Sequence, residues 1–453
     1  MTNQFLGVFI FLLISRGLDK SSFGELSWAL AVLTFVTTIL SLRLEQIIVR
    51  NVAAGEDPSR MLTVFAAHNL LMGILFFIVL SLTWFLVPAF HNKLSLLWML
   101  SISQLLSFFA LPFRQIVTGR SSFTWLALLS TLSNFLRAAG FMACFFFSVL
   151  TLRTVLILFT VSSLAELLLG VWIVCRRLAI PFRLHDLLPA YKALIKSSLP
   201  QMGVVFLNAG IGRMDWILLG ILSTPVRTAE YAFTYRAYEF SPLPLLVLAP
   251  FLMNRFAQSE GRSVSAERMD WLVRLEMVLA TLPTLLLVLS WSPLVDGLTG
   301  NKYGSVNIFT FLILSFCIPF QYLINLYWTH EFSRNRLSLI FRITAVTAIV
   351  VLVGDSFLIP LWAGEGAALV LLFATILQYL LYARVSSFGG QREWARHLLV
   401  AVSIAVCSGL SAIWLTDSLI LRLLLATGFY LLPAWMTGLI KSKDKVGLLY
   451  KTF

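Results

Sequence analysis

Charge is what this sequence has least of. Only 12% of its 453 residues are Asp, Glu, Lys or Arg, about half the ~25% share of an ordinary soluble domain. No polar stretch is long enough to fold alone in water. Histidine is nearly as scarce, with five residues scattered at 68, 91, 185, 330 and 397. There is no H-E-x-x-H, no phosphate-cradling G-x-x-x-x-G-K-[ST] loop and no acidic cluster with metal-ligand spacing. The four cysteines, Cys144, Cys175, Cys317 and Cys407, form no C-x-x-C pair and read as packed apolar thiols. Strand alternation over about ten residues, which an outer-membrane barrel needs, is missing too. These absences exclude metallohydrolases, nucleotide hydrolases, disulfide scaffolds and barrels. Neither an enzymatic centre nor a cofactor is expected.

What is present is apolar length. The chain is 59% hydrophobic with a mean hydropathy of +0.89, and its runs match the ~20 residues of a spanning helix. They fall at roughly 2–15, 26–49, 61–89, 94–112, 123–150, 154–175, 199–222, 230–253, 269–294, 308–328, 341–362, 365–383, 397–415 and 418–440. The reading is an all-α polytopic membrane protein of about 14 transmembrane helices. The first run is short, with about ten strictly apolar residues before Arg16 in MTNQFLGVFIFLLISRGLDK. It reads as a genuine first span whose cytoplasmic half is missing or unusually polar, which a start codon placed too far downstream would explain.

The net charge of +13 is a topology signal rather than a nucleic-acid footprint. When the connectors alternate sides, 22 of the 34 Lys and Arg fall on one face, seven on the other and five inside spans. The basic side is cytoplasmic, so both termini are expected there, with anionic lipid headgroups as the neighbours of these charges. The longest basic connector is RRLAIPFRLHDLLPAYKALIKSS, residues 176–198. Leu184, Leu187, Leu188, Tyr191, Leu194 and Ile195 follow helical spacing, which predicts a short amphipathic helix in the headgroup plane. A solvated connector interrupted by Pro189 is the alternative. The connector divides the chain into lobes of six spans, 1–175 and 199–383, followed by a two-helix segment and tail, 384–453. GELSWA at 24–29 and AEYAFT at 229–234 echo each other at equivalent positions, as parallel repeats would.

Ionised residues inside spans are costly and mark pathways or pairs. The arginines are Arg43, Arg137, Arg213, Arg236 and Arg274; the carboxylates are Glu45, Glu166, Asp215, Glu239 and Glu276. Arg274 and Glu276 lie near a span end and read as interfacial snorkellers. His68 reads as a packed polar residue. Counting depth from the connecting loops at 1.5 Å per residue levels Asp215 with Arg236, Arg213 with Glu239, and Arg137 with Glu166. Structural pairing of this kind is the alternative to a substrate role for each arginine.

Several stretches resemble the polysaccharide flippases of the multidrug/oligosaccharidyl-lipid/polysaccharide exporter superfamily. SLPQMGVVFLNAGIGRMDWILLG is similar to their seventh span, with Pro200, Asp215 and Gly220 matching. EYAFTYRAYEFSPLPLLVLAPFLMNRFAQ resembles the span after it, and ISRGLDKSSFGELSWAL the first loop. DSFLIPLWAGEGAALVLLFATI resembles the N-x-x-L-I-P-x-x-G-x-x-G-A-A turn through Pro360, Gly364, Gly366, Ala367 and Ala368, with Asp355 in place of Asn and Glu365 between the glycines.

The resemblance implies two six-helix lobes around a central cavity plus two extra C-terminal helices. It implies a non-enzymatic flippase in a bacterial inner membrane. Its expected substrate is a lipid-linked oligosaccharide on polyprenyl pyrophosphate, as in O-antigen and lipopolysaccharide synthesis. Membrane lipids and the polysaccharide polymerase machinery are the expected partners. Arg43, Arg137, Arg213 and Arg236 are the pyrophosphate candidates, because a planar fork suits phosphate better than an ammonium does. Glu166, Asp215 and Glu239 are the charge-pair or coupling candidates for H⁺ or Na⁺. A multidrug or cation antiporter of the same superfamily is the alternative. A membrane glycosyltransferase or polymerase ranks lower, because it needs a sizeable extracytoplasmic loop.

The orientation is testable with an impermeant thiol reagent in a background lacking the native cysteines. Ser197→Cys and Ser442→Cys are expected to be protected in intact cells and Ser305→Cys labelled. Labelling of Ser442→Cys from outside reverses the topology.

Overall fold

The computed structural model describes residues 2–86, 91–185, 187–241, 266–386 and 391–440. Among these residues every regular element is helical, as hydrocarbon demands of a chain without a closed barrel. Two compact units divide it, Met1–Ala229 and Glu230–Phe453. The first holds α1 (Thr2–Gly17), α2 (Lys20–Leu40), α3 (Leu44–Ala53), α4 (Pro58–Leu86), α5 (His91–Gly119), α6 (Phe123–Phe146), α7 (Leu152–Trp172), α8 (Leu187–Ile211) and α9 (Met214–Leu222). Helix α10 (Pro225–Phe240) leads into the second. There follow α11 (Ala266–Thr299), α12 (Ile308–Ser333), α13 (Leu337–Val385), α14 (Gln391–Leu415) and α15 (Leu419–Met436).

Ten described helices are long and apolar enough to cross a membrane, or eleven if the bent pair 202–211 and 214–222 is one span. The 49-residue α13 is two helices joined at Ala363, whose φ of 46° is left-handed. Gly354 abuts Val370 and Gly366 abuts the Leu358 backbone. Both pairs are centred on residue 362, so the chain doubles back there, as the separate runs 341–362 and 365–383 require. The end of the expected eighth span, 242–253, lies outside the described residues.

Two expected spans are broken rather than continuous. The run 26–49 is interrupted between α2 and α3, where Leu42 and Arg43 both take positive φ, 49° and 61°. Such backbone costs of order 1–3 kcal/mol per residue for a side chain other than glycine. The run 199–222 bends by 44° between α8 and α9. Helix starts follow ordinary capping. Asp19 accepts the Ser22 amide at 3.0 Å, and that bond with the Ser22 hydroxyl holds its carboxyl below the usual carboxylate range. Thr151 and Thr154 form a capping box at the start of α7.

The connector helix differs from expectation. It is no separate element, because α8 begins at Leu187 and runs through Pro189 into the membrane segment. Pro189 sits in the first turn, where its missing amide has no partner to lose. Leu187, Ala190, Tyr191, Leu194 and Ile195 pack on a core made by α3, α4 and α5, whereas Leu184 and Leu188 stay exposed. The α9 end is tied to α2 and α5. Trp28 Nε1 donates to the Ile217 carbonyl at 3.2 Å, and Lys93 Nζ donates to that of Gly220 at 2.6 Å.

Of the expected snorkellers, Arg274 is engaged by protein groups and Glu276 is buried. Arg274 is bonded to Asp270 and to the Gly438 carbonyl at 3.0 Å, and Asp270 also takes His397 Nε2 at 2.7 Å. Glu276 is 1% exposed. Asp270 and Arg274 thus bind His397 of α14 and the Gly438 carbonyl beyond α15. The four cysteines are free thiols.

A Cβ at Gly366 collides with the Leu358 carbonyl, whereas one at Gly428 on α15 meets open space. Gly366→Ala is expected to lower stability in detergent by about 1–3 kcal/mol, the cost of overpacking. Gly428→Ala is expected to be neutral or slightly stabilising, since alanine is the better helix former. Thermal unfolding of the two variants checks the pair.

Candidate functional site

A polar cavity of about 350 Å³ opens inside the first unit. Thr37, Thr38 and Glu45 reach it from either side of the α2–α3 break; Gln104, Ser107 and Arg114 from α5; Ser130, Ser133, Asn134 and Arg137 from α6; and Glu166 from α7. The break adds Thr37, Thr38 and Glu45 to this polar lining. Unwound backbone at membrane depth is tolerated where it lines a wet cavity or is buried in protein. Here the freed Leu40 carbonyl receives His68 Nε2 at 2.9 Å. The other ring nitrogen of His68 meets the Tyr191 hydroxyl at 3.2 Å. His68 is 2% exposed and packs as a structural polar residue, as its sequence context predicts.

Arg137 is the central cation. Its Nε donates to Ser162 Oγ at 2.7 Å and its Nη2 to Ser163 Oγ at 3.0 Å. The guanidinium lies over the Phe159 ring, 5.2 Å from the centroid. The expected Arg137–Glu166 pair is not formed. Glu166 is taken instead by Arg114, Nη1 to Oε1, at 3.4 Å. Depth counting placed Arg137 and Glu166 at one level but carries no azimuth. Ser162, Ser163 and Glu166 share one face of α7, between α6 and α5: the serines take Arg137, Ser163 also accepts the Ser107 hydroxyl of α5 at 2.9 Å, and Glu166 takes Arg114.

Arg114 was hidden in the sequence. The apolar run is bounded at 94–112, so Arg114 counts there as a connector residue. The structure continues α5 through Pro112 to Gly119. The signal that could have found it is the apolar pair Ile116 and Val117 beyond it, both fully buried.

The other candidates are placed as follows. Arg43 stands at the α2–α3 break with a half-buried side chain, outside the cavity lining. Its Nε is buried without a hydrogen-bond partner. Arg213 sits at the α8–α9 bend, its Nη1 donating to the Gly212 carbonyl at 3.2 Å and its guanidinium 5.2 Å from the Trp216 ring centroid. Asp215, 2% exposed, accepts the Trp216 amide at 2.8 Å. The pairs expected across the 223–229 loop join residues of different units. Within the second unit Arg236 Nη1 donates to Glu239 Oε2 at 2.7 Å, three residues along α10.

Residues 1–255 match the family described as polysaccharide biosynthesis protein, more than half of the chain. Curated protein sequences give no match. Among solved structures the chain superposes on one described as lipid II flippase MurJ in an inward closed conformation. That match has a TM-score of 0.77 and 12% identity over 96% of each chain. A multidrug resistance MATE family transporter of the MOP superfamily, inward-facing, gives 0.61 at 13% identity, over 88% of this chain and 96% of that one. A eukaryotic MATE transporter gives 0.54 at 14% identity, over 88% and 99%. The fold is therefore that of these multi-pass transporters.

Because the Glu166 side chain is 9% exposed and that of Arg114 is 37% exposed, the two halves of the pair are unequal. Arg114→Gln strands a buried carboxylate, whereas Glu166→Gln leaves an arginine that can turn to water. Arg114→Gln is expected to lower the unfolding temperature more than Glu166→Gln does. Thermal unfolding in detergent is the check, and equal losses contradict this asymmetry.

Proposed function

The chain belongs to the polysaccharide biosynthesis protein family, and from that premise we propose that it flips a polyprenyl-pyrophosphate-linked oligosaccharide. The direction is from the cytoplasmic to the outer leaflet of a bacterial inner membrane, by alternating access. It serves cell-surface polysaccharide synthesis of the O-antigen type and works beside the polymerase machinery, with both termini cytoplasmic. The lobe boundaries 1–175 and 199–383, joined through 176–198, are part of this proposal.

One observation carries the reading: Arg137 is held in a wet cavity by hydroxyls rather than by a carboxylate. A pyrophosphate cannot enter hydrocarbon bare, and charge-assisted bonds to a guanidinium are about twice as strong as neutral ones. Serine oxygens position the fork without neutralising it. Its Nη1, which makes no hydrogen bond among the described residues, is then free for phosphate oxygen. Arg114 supplies a second fork once Glu166 lets go. The cavity holds on the order of ten water volumes, room for a diphosphate and its nearest waters. Arg43, Arg213 and Arg236 are proposed to act along the rest of the path, with Glu166, Asp215 and Glu239 as the compensating or coupling acids. The many exposed aliphatic and aromatic side chains on α4, α13 and α15 suit contact with lipid tails.

A multidrug or cation antiporter is the second reading. It is favoured by Glu45, a cavity carboxylate with no hydrogen bond or ion pair among the described residues. Complementation of a strain lacking its own oligosaccharide flippase separates the two. Wild type is expected to restore surface glycan and clear the accumulated lipid-linked intermediate. Arg137→Ala or Arg114→Ala is expected to abolish this at normal membrane levels. Arg137→Lys is expected to rescue only in part, because it keeps the charge but loses the fork. Full activity of both alanine variants refutes a pyrophosphate role for this cavity. Export of a cationic drug without glycan rescue selects the antiporter.

A further inference from the structure

Glu276 on α11 is a buried acid that the substrate path leaves unused. It is 1% exposed, and its Oε2 has no hydrogen-bond partner. Val273 and Ala280, one turn to either side on the same face, are fully buried, as is Met277 beside it. The titratable side chains that packed helices bring to this part of α11 are each engaged elsewhere. Tyr322 of α12 donates its hydroxyl to the Ser241 carbonyl at 3.1 Å. His397 of α14 is bonded to Asp270, and Tyr430 of α15 shares a 2.6 Å hydrogen bond with Thr281. Arg274, the neighbouring cation on α11 itself, is held by Asp270 and the Gly438 carbonyl. Among the described residues no ion pair reaches Glu276.

Among the described residues an ionised carboxyl so placed meets no counter-charge, and a bare charge at membrane depth is expensive. A metal cation asks for several oxygen ligands. One carboxyl among valine, methionine and alanine does not supply them, and no group of three or more His, Cys, Asp or Glu gathers among the described residues. A proton needs only the carboxyl.

We propose that Glu276 is a proton site of the second unit, loaded in this conformation and released to water when alternating access opens its surroundings. The proton passes between the carboxyl and a water molecule, leaving the carboxylate behind. This rests on the transporter reading and assigns that transporter a coupling ion and the residue that carries it.

The site itself is tested by infrared spectroscopy of the purified full chain in lipid vesicles. At pH 7 wild type is expected to show the carbonyl stretch of a protonated carboxyl that Glu276→Gln lacks, and alkaline titration is expected to remove it. No difference between the two proteins at pH 7 overturns the proposal. Glu276→Met serves where Glu276→Gln yields too little protein, with the same band loss expected. Coupling is tested by flipping of a fluorescent lipid-linked sugar in vesicles with and without a pH gradient. Wild type is expected to respond to the gradient several-fold, and Glu276→Gln to run at one rate in both. A full gradient response in Glu276→Gln overturns the coupling role. Absence of flipping by wild type counts against the flippase reading instead, and the infrared result then decides the proton site alone.

Discussion

A backbone carbonyl left unmet in hydrocarbon costs several kcal/mol, and the turn from α2 into α3 leaves one at Leu40. The helix cannot supply its own amide there, because the chain has swung into left-handed conformation at Leu42 and Arg43. His68 fills the gap from α4 and is fixed in turn by Tyr191 on α8. Three helices are thus registered against one another by a single carbonyl. The cavity walls at Thr37, Thr38 and Glu45 exist because that break is tolerated. The bend between α8 and α9 meets the same demand differently, with Arg213 turning its guanidinium back on the Gly212 carbonyl.

The helices were legible because apolar length is nearly all a membrane span needs. Where described, each expected run is built of helix, with breaks inside 26–49 and 199–222. The polar inventory was legible too, since Arg137 and Glu166 fall in one cavity. What could not be read was azimuth. The level of a residue follows from counting, but the direction of its side chain depends on how helices rotate against one another. Arg137 bonds Ser162 and Ser163, while Glu166, on the same face of α7, is taken by Arg114 from α5. Neither proline ends its helix: Pro112 sits inside α5 and Pro189 in the first turn of α8, because a first turn or a curved long helix accommodates it.

The two units treat their buried charges in different ways. In the first, Arg114, Arg137, Glu45 and Glu166 line one polar cavity, where partners can exchange. In the second, Glu331 is fully buried between Arg336 at 3.3 Å and Ser386 at 2.6 Å. Asp270 is likewise enclosed by Arg274 and His397. Exchange requires solvent, so the first arrangement suits a passing anion and the second suits permanent architecture.

The Asp270–His397 bond spans 127 residues of sequence, and that separation is also an interval of time. At the usual 5–20 residues per second of synthesis, α11 waits about 6–25 s for the helix that completes its polar cluster. During that interval Asp270 has only Arg274, one turn away, to neutralise it. The four-residue spacing is thus what lets Asp270 and Arg274 enter the bilayer as a neutral pair. Once α14 and α15 arrive, His397 and the Gly438 carbonyl close over the pair. The last helices made then become the seal on one of the first charges inserted into this half of the chain.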